Sequence, residues 1–134
     1  MLQIAAVVSQ RSVCERLLQV GAVVTDEQHT RILGIGYNGP PAGMPHKCRA
    51  DEPGNCGCVH AEANALIKSP YPQGRILYAT HSPCESCAAL IINAGIYLVV
   101  YREAYRLTEP LALLRKAGVS LFHMGTAPQY EGQI

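Results

Sequence analysis

The sequence predicts a mixed α/β fold: three layers, with a sheet of about five strands and helices on both faces. Three observations carry this. Apolar residues alternate along the chain between helical spacing and short runs rich in Val and Ile, in the order αββαβαβαβ. Gly and Pro punctuate nearly every junction. The chain has 134 residues, 49% of them apolar and 16% charged, which suits one domain over residues 1–134 with one core.

Leu2, Ile4, Ala5 and Val8 fit one face of a helix that ends near Ser9–Ser12. The Val-rich segment 19–26 reads as a strand that stops at a turn, and 30–37 as its antiparallel hairpin partner. Residues 38–58 concentrate Gly and Pro and form a long loop, of a length that is usually functional. Residues 60–68 are good helix formers, and the Pro and Gly of 69–74 end that helix. A strand follows over 75–80. The helix over 84–95 starts behind Pro83 and closes on Gly95, a favourable C-cap. Residues 96–101 are continuously apolar, as in a buried strand. A helix over 109–118 and a strand over 119–123 complete the order, and the last residues read as a tail.

The formal net charge is +1, without a basic run, which disfavours binding to nucleic acid through phosphates and favours a small substrate. The apolar N-terminal stretch is too short to span a bilayer and has no basic leader, so a cytoplasmic location without membrane attachment is expected. Six cysteines in a reducing compartment are better candidates for metal ligands or catalysis than for disulfides.

Two stretches carry the chemistry. Pro83-Cys84-x-x-Cys87 opens a helix, so both sulfurs share one face in the first turn. The partial positive charge there favours thiolates. His60-Ala61-Glu62 opens another helix. One imidazole and two thiolates give zinc three protein ligands and leave a fourth position for water, whose pKa the metal lowers. Glu62 is not needed as a ligand and can move that water's proton. Cys84-x-x-Cys87 alone also fits a structural zinc half-site or a redox pair. The redox reading wants the motif after the first strand, whereas here it follows the third. A closed structural site gives Glu62 no task.

Together the two halves match the H-x-E…P-C-x-x-C signature of zinc nucleobase deaminases. The chain resembles the cytidine deaminase-like superfamily, and within it the deoxycytidylate (dCMP) deaminases. The likeness runs through "VGAVV" (20–24 with its flank), "GIGYNGPPAG" (34–43), "MPHKC" (44–48), "HAEANAL" (60–66), "LYATHSPCESCAALIINAGI" (77–96) and "VVYREAY" (99–105). It implies the cytidine deaminase-like fold and the hydrolysis of dCMP to dUMP and ammonia. It also implies a catalytic zinc on His60, Cys84 and Cys87, with Glu62 shuttling protons from water to N3 and to the departing amine. By the same resemblance Asn38 bonds the sugar 3′ hydroxyl, Asn64 lies toward the 5′ phosphate, Tyr105 helps enclose the nucleotide, and Ala61 and Ser82 are further substrate contacts. Lys68, Arg75, Arg102 and Arg106 are candidates to neutralise the phosphate. In members with a second, structural zinc, the corresponding loop holds it. Here Cys14, Cys48 and Cys56 are the expected ligands, with His46 or Cys58 as the fourth. The resemblance further implies a homo-oligomer and dCTP or dTTP as possible effectors. Two alternatives stay open: a deaminase of another nucleotide, nucleoside or base (cytidine, guanine, a tRNA adenosine), or a zinc-stabilised nucleotide-binding module without catalysis.

Overall fold

The computed structural model describes residues 1–14, 18–48, 56–70, 75–105 and 107–125. Arg106 and the C-terminal tail lie outside them. The nine elements appear in the expected order. α1 (Leu2–Ser9) precedes the hairpin of β1 (Gly21–Thr25) and β2 (Ile32–Tyr37). Asp26 closes that hairpin, its carboxylate accepting the backbone N–H groups of Thr30 and Arg31 and the Thr30 hydroxyl. After the long loop come α2 (Ala61–Lys68), β3 (Arg75–His81), α3 (Glu85–Asn93), β4 (Ile96–Glu103), α4 (Glu109–Lys116) and β5 (Ser120–His123).

The sheet order is β2-β1-β3-β4-β5. β1 pairs antiparallel with both β2 and β3, while β3, β4 and β5 run parallel, with α3 and α4 as the crossovers. β1 is buried along its length because it is covered on both faces. Val23 points with Ile76, Tyr78 and Val100 toward α1, where Leu2 and Ala5 meet them. Ala22 and Val24 point the other way with Leu77 and Val99, onto Ala61, Ala65, Ala88, Ile91, Leu111 and Leu114 of the other three helices. One helix therefore covers one face and three cover the other, which makes the three layers.

The packing of α2 is unusually close. A Cβ at Gly36 of β2 would lie 2.3 Å from the Ala61 carbonyl oxygen and 2.6 Å from the Ala65 nitrogen. Only a residue without a side chain lets the first turn of α2 rest there. The hydrogen-bonding register then brings one end of the sheet together. Gly21 lies opposite Tyr37, and Ala22 lies opposite Ala79. The start of β1 thus meets the carboxyl ends of β2, β3 and β4. Ligand sites in open α/β sheets form outside such strand ends.

Candidate active site

His60 is the N-cap of α2 and Cys84 the N-cap of α3, and neither side chain makes a capping hydrogen bond. Both are turned toward each other instead. His60 Nδ1 lies 3.4 Å from Cys84 Sγ and 3.4 Å from Cys87 Sγ. A tetrahedral zinc at ordinary Zn–S and Zn–N bond lengths separates a sulfur from a nitrogen by about 3.6 Å. The donor set and its spacing fit that metal, with three protein ligands and none of the described residues supplying a fourth.

Electrostatics point the same way. Hydrogen bonds from Cys87 and then His60 hold the Cys84 thiol down to about 3, in thiolate form. Beside that thiolate the Cys87 thiol is pushed up, and the His60 imidazole is raised as well. Cys84 is thus the thiolate of the set, and a dication bound beside it would favour the thiolate form of Cys87 and the neutral form of His60 as well. Glu62 is 4% exposed, within reach of Cys87, and burial raises its carboxyl above the usual range. A carboxyl so placed holds a proton more readily than one in water, which suits a proton carrier.

His60, Glu62 and Cys84 line a cleft open to solvent, with Cys87 buried behind them. Asn38, Ala61, Glu62 and Ser82 are its buried lining, Val20, His60, His81, Cys84 and Tyr105 are half-buried, and Leu18 is exposed. Asn38 is buried and ties two segments together: its Nδ2 donates to the Leu18 carbonyl at 2.7 Å, and its Oδ1 accepts the Val20 N–H at 2.8 Å. Ser82 Oγ accepts the Tyr105 N–H at 2.6 Å and so sets the start of the segment after β4.

Of the sequence-derived contacts, Asn38, Ala61, Ser82 and Tyr105 meet at this cleft. Asn64 does not line it; its Nδ2 donates to the Tyr37 carbonyl at 2.9 Å and braces the end of β2 against α2. Among the phosphate candidates, Lys68 is exposed at the far end of α2, and Arg75 donates to the Ala94 carbonyl at the end of α3. Arg102 pairs with Glu103 at 3.6 Å. His81, Leu18 and Val20 also line the cleft, although no motif marks them. The only signal for His81 was its place between β3 and the Pro-Cys motif. Leu18 and Val20 reach the cleft only because β1 runs antiparallel to β3.

The second cysteine group also converges. Cys14, Cys48, Cys56 and Cys58 place their sulfurs within 4.8 Å of one another. Cys14 and Cys56 are buried and their sulfurs lie 3.8 Å apart, which matches the about 3.8 Å between two thiolates on one tetrahedral zinc. His46 is outside this group and packs edge-on against the Tyr37 ring. Burial and the surrounding thiols push the Cys58 thiol upward.

Residues 1–103 match the model of the cytidine and deoxycytidylate deaminase zinc-binding region. The chain belongs to that zinc-binding deaminase family. A deoxycytidylate deaminase of Mycobacterium phage D29 is 42% identical over 117 residues, covering 75% of this chain and 89% of that protein. One from Saccharomyces cerevisiae is 33% identical over 135 residues; the match covers 90% of this chain but 42% of the yeast protein. The dCMP deaminase of cyanophage S-TIM5, solved in complex with dCMP and dUMP, superimposes with a TM-score of 0.82 at 37% identity, covering 92% of this chain and 93% of that one. The cytidine deaminase-like fold expected from the motifs is thus the fold of the deaminase family to which this chain belongs.

Proposed function

We propose that this chain, as a single domain, is a zinc-dependent deoxycytidylate deaminase that converts dCMP and water to dUMP and ammonia. The observation that carries the reading is the buried Glu62 carboxyl beside the His60, Cys84 and Cys87 cluster at the floor of an open cleft. Its likeness to deaminases of that specificity supports the choice of nucleotide.

His60, Cys84 and Cys87 hold the zinc, which supplies the electrophile that makes water nucleophilic near neutral pH. Glu62 takes a proton from the water and carries it to N3 of the cytosine ring. As the water oxygen bonds to C4, Glu62 takes the proton of the new C4 hydroxyl and delivers it to the amine, so that the C4–N bond breaks, the C4 carbonyl forms and ammonia leaves. Ala61 and Ser82 flank the ring, Asn38 fixes the wall formed by Leu18 and Val20, and Tyr105 closes the cleft. Water enters and ammonia leaves, so no redox partner is required.

Cys14, Cys48, Cys56 and Cys58 hold a second, structural zinc; geometry favours Cys58 over His46 as the fourth ligand. Its work is to fix a Gly- and Pro-rich loop that has little core of its own. No described helix is long and apolar enough to cross a membrane, in keeping with a cytoplasmic enzyme. Exposed Val7, Ile35 and Ile67 provide apolar surface for assembly into a homo-oligomer, and dCTP or dTTP are the effectors to test.

The experiment is a panel of ammonia release from dCMP, CMP, deoxycytidine, dCTP, cytosine and guanine, with Glu62→Ala alongside. Release from dCMP above the others is expected. In Glu62→Ala the rate falls about a hundredfold to ten-thousandfold while the metal stays bound. No release from any cytosine compound would leave a binding module as the reading.

A further inference from the structure

We infer that His81 is a specificity-determining residue, whose Nε2–H holds the 5′ phosphate of the nucleotide; this rests on the dCMP reading above. His81 ends β3 and lines the cleft, yet no role attaches to it from the zinc chemistry. Its tautomer follows from its neighbour. Thr80 is 1% exposed, and its hydroxyl oxygen accepts the Gly21 N–H at 3.1 Å. That hydroxyl lies 2.8 Å from His81 Nδ1. If Nδ1 carried the proton, the buried Thr80 hydroxyl hydrogen would have no acceptor among the described residues, a costly arrangement. The favourable chain runs from the Gly21 N–H to the Thr80 oxygen and from the Thr80 hydroxyl to Nδ1. The proton of the neutral ring then sits on Nε2, on the opposite side of the imidazole. Burial lowers the tendency of this ring to take a second proton, with Glu103 raising it and Arg102 lowering it.

The target follows from the depth of the cleft. Ala61, Glu62 and Ser82 are buried, so the ring that reacts at Glu62 occupies the floor. Leu18 is exposed and marks the mouth, and His81 and Tyr105, each partly exposed, line the same cleft. A nucleotide with its base on the floor carries its phosphate toward that mouth. Among the described residues no Lys or Arg lines the cleft. Asn38 fixes its amide on the Leu18 carbonyl and the Val20 N–H and keeps one N–H, enough for a sugar hydroxyl. His81 is therefore the preset donor for a phosphate oxygen, and a hydrogen bond to a charged acceptor is among the stronger kind.

The test uses zinc-loaded protein and steady-state kinetics with dCMP and deoxycytidine, together with calorimetric binding of dUMP. His81→Asn keeps an amide near the Nδ1 position and removes the donor at Nε2; His81→Gln reaches the Nε2 position and restores it. In His81→Asn the KM for dCMP and the Kd for dUMP rise about tenfold to a hundredfold. The value of kcat changes little, and kcat/KM for deoxycytidine stays near wild type. His81→Gln recovers most of the loss. Unchanged preference for dCMP over deoxycytidine in His81→Asn, or no recovery in His81→Gln, overturns the inference. Wild-type protein that releases no ammonia from dCMP overturns both this inference and the function on which it rests.

Discussion

Replacing Gly36 with Ala tests whether the contact of β2 with α2 sets the metal geometry. The added Cβ would sit 2.3 Å from the Ala61 carbonyl oxygen, whereas ordinary contact begins at 3.4 Å. Two of the three atoms it meets are backbone and the third is the Asn64 Cβ at 2.8 Å, none of which a rotamer change can move, so α2 must move by about 1 Å. Ala61 lies between His60 and Glu62. The shift therefore changes the 3.4 Å separations of His60 from Cys84 and Cys87, which already sit near the about 3.6 Å that zinc requires. Overpacking of this kind costs about 1–3 kcal/mol, which lowers Tm by roughly 4–12 °C for a domain of this size. Misplacing a catalytic group by about 1 Å costs about a hundredfold in rate. The assays are calorimetry, zinc affinity by competition with a chromophoric chelator, and kcat/KM on dCMP. Gly43→Ala is the control: Gly43 has φ +85° with nothing within 4 Å of the added Cβ. It strains the backbone by about 1 kcal/mol and leaves zinc affinity alone. A Gly36→Ala protein with lowered Tm but wild-type zinc affinity and kcat/KM refutes the reasoning.

Asn38→Ala removes the partners of the Leu18 carbonyl and the Val20 N–H; it should cost about 1–3 kcal/mol in urea melts and raise KM for dCMP more than it lowers kcat. Cys56→Ser takes one buried thiolate from the four-cysteine group; plasma mass spectrometry should count zinc falling from two per chain to one, with activity surviving at reduced Tm. Wild-type protein that never holds more than one zinc contradicts the second site. The Asp26 carboxyl is held down from 3.8 to about 2, chiefly by the Thr30 hydroxyl, against a smaller opposing effect of burial. A depressed carboxyl stabilises the fold above its unfolded pKa and loses that contribution as pH falls through the folded one. The Tm deficit of Asp26→Asn relative to wild type should therefore be constant above about pH 5 and shrink toward zero near pH 2. A deficit that does not change with pH rejects this role.

The nine elements were legible in the sequence because each announces itself locally. β3 and β4 are runs of apolar residues, and α3 is bracketed by Pro83 and Gly95. The zinc ligands were legible for a related reason: His60 and Cys84 stand at helix starts, where spacing alone fixes which side chains share a turn. What depended on long-range pairing was not. His81 and Val20 face one cleft through the antiparallel register of β1 and β3, a relation between residues some sixty apart in sequence that no local pattern states. Asn64 also depends on the tertiary fold. The resemblance places it toward the 5′ phosphate, and in the structure its amide donates to the Tyr37 carbonyl, a partner 27 residues away that α2 alone does not announce. The choice between His46 and Cys58 likewise depends on which side chain the fold brings to Cys14, Cys48 and Cys56, which no local pattern states.

That loop explains why the two cysteine groups belong to one functional unit. Cys58 lies two residues before His60, and Val59 between them pairs with Gly39: the Gly39 N–H donates to the Val59 carbonyl at 3.1 Å, and the Val59 N–H donates to the Gly39 carbonyl at 2.7 Å. Gly39 follows Asn38, which holds the Leu18–Val20 wall. At the other end, the Cys14 N–H donates to Ser12 Oγ at 3.2 Å, and Gln19 donates to the Ser12 carbonyl at 2.9 Å. Thiolates gathered at one metal would therefore fix three approaches to the cleft: the segment before β1, the turn after β2 and the entry to α2. A loop of Gly and Pro has too few apolar contacts to hold such positions by burial. Metal coordination can do so with four side chains. Loss of the second zinc should accordingly raise KM before it lowers kcat, since it loosens the walls of the cleft while leaving the pairing of His60 with Cys84 and Cys87 in place.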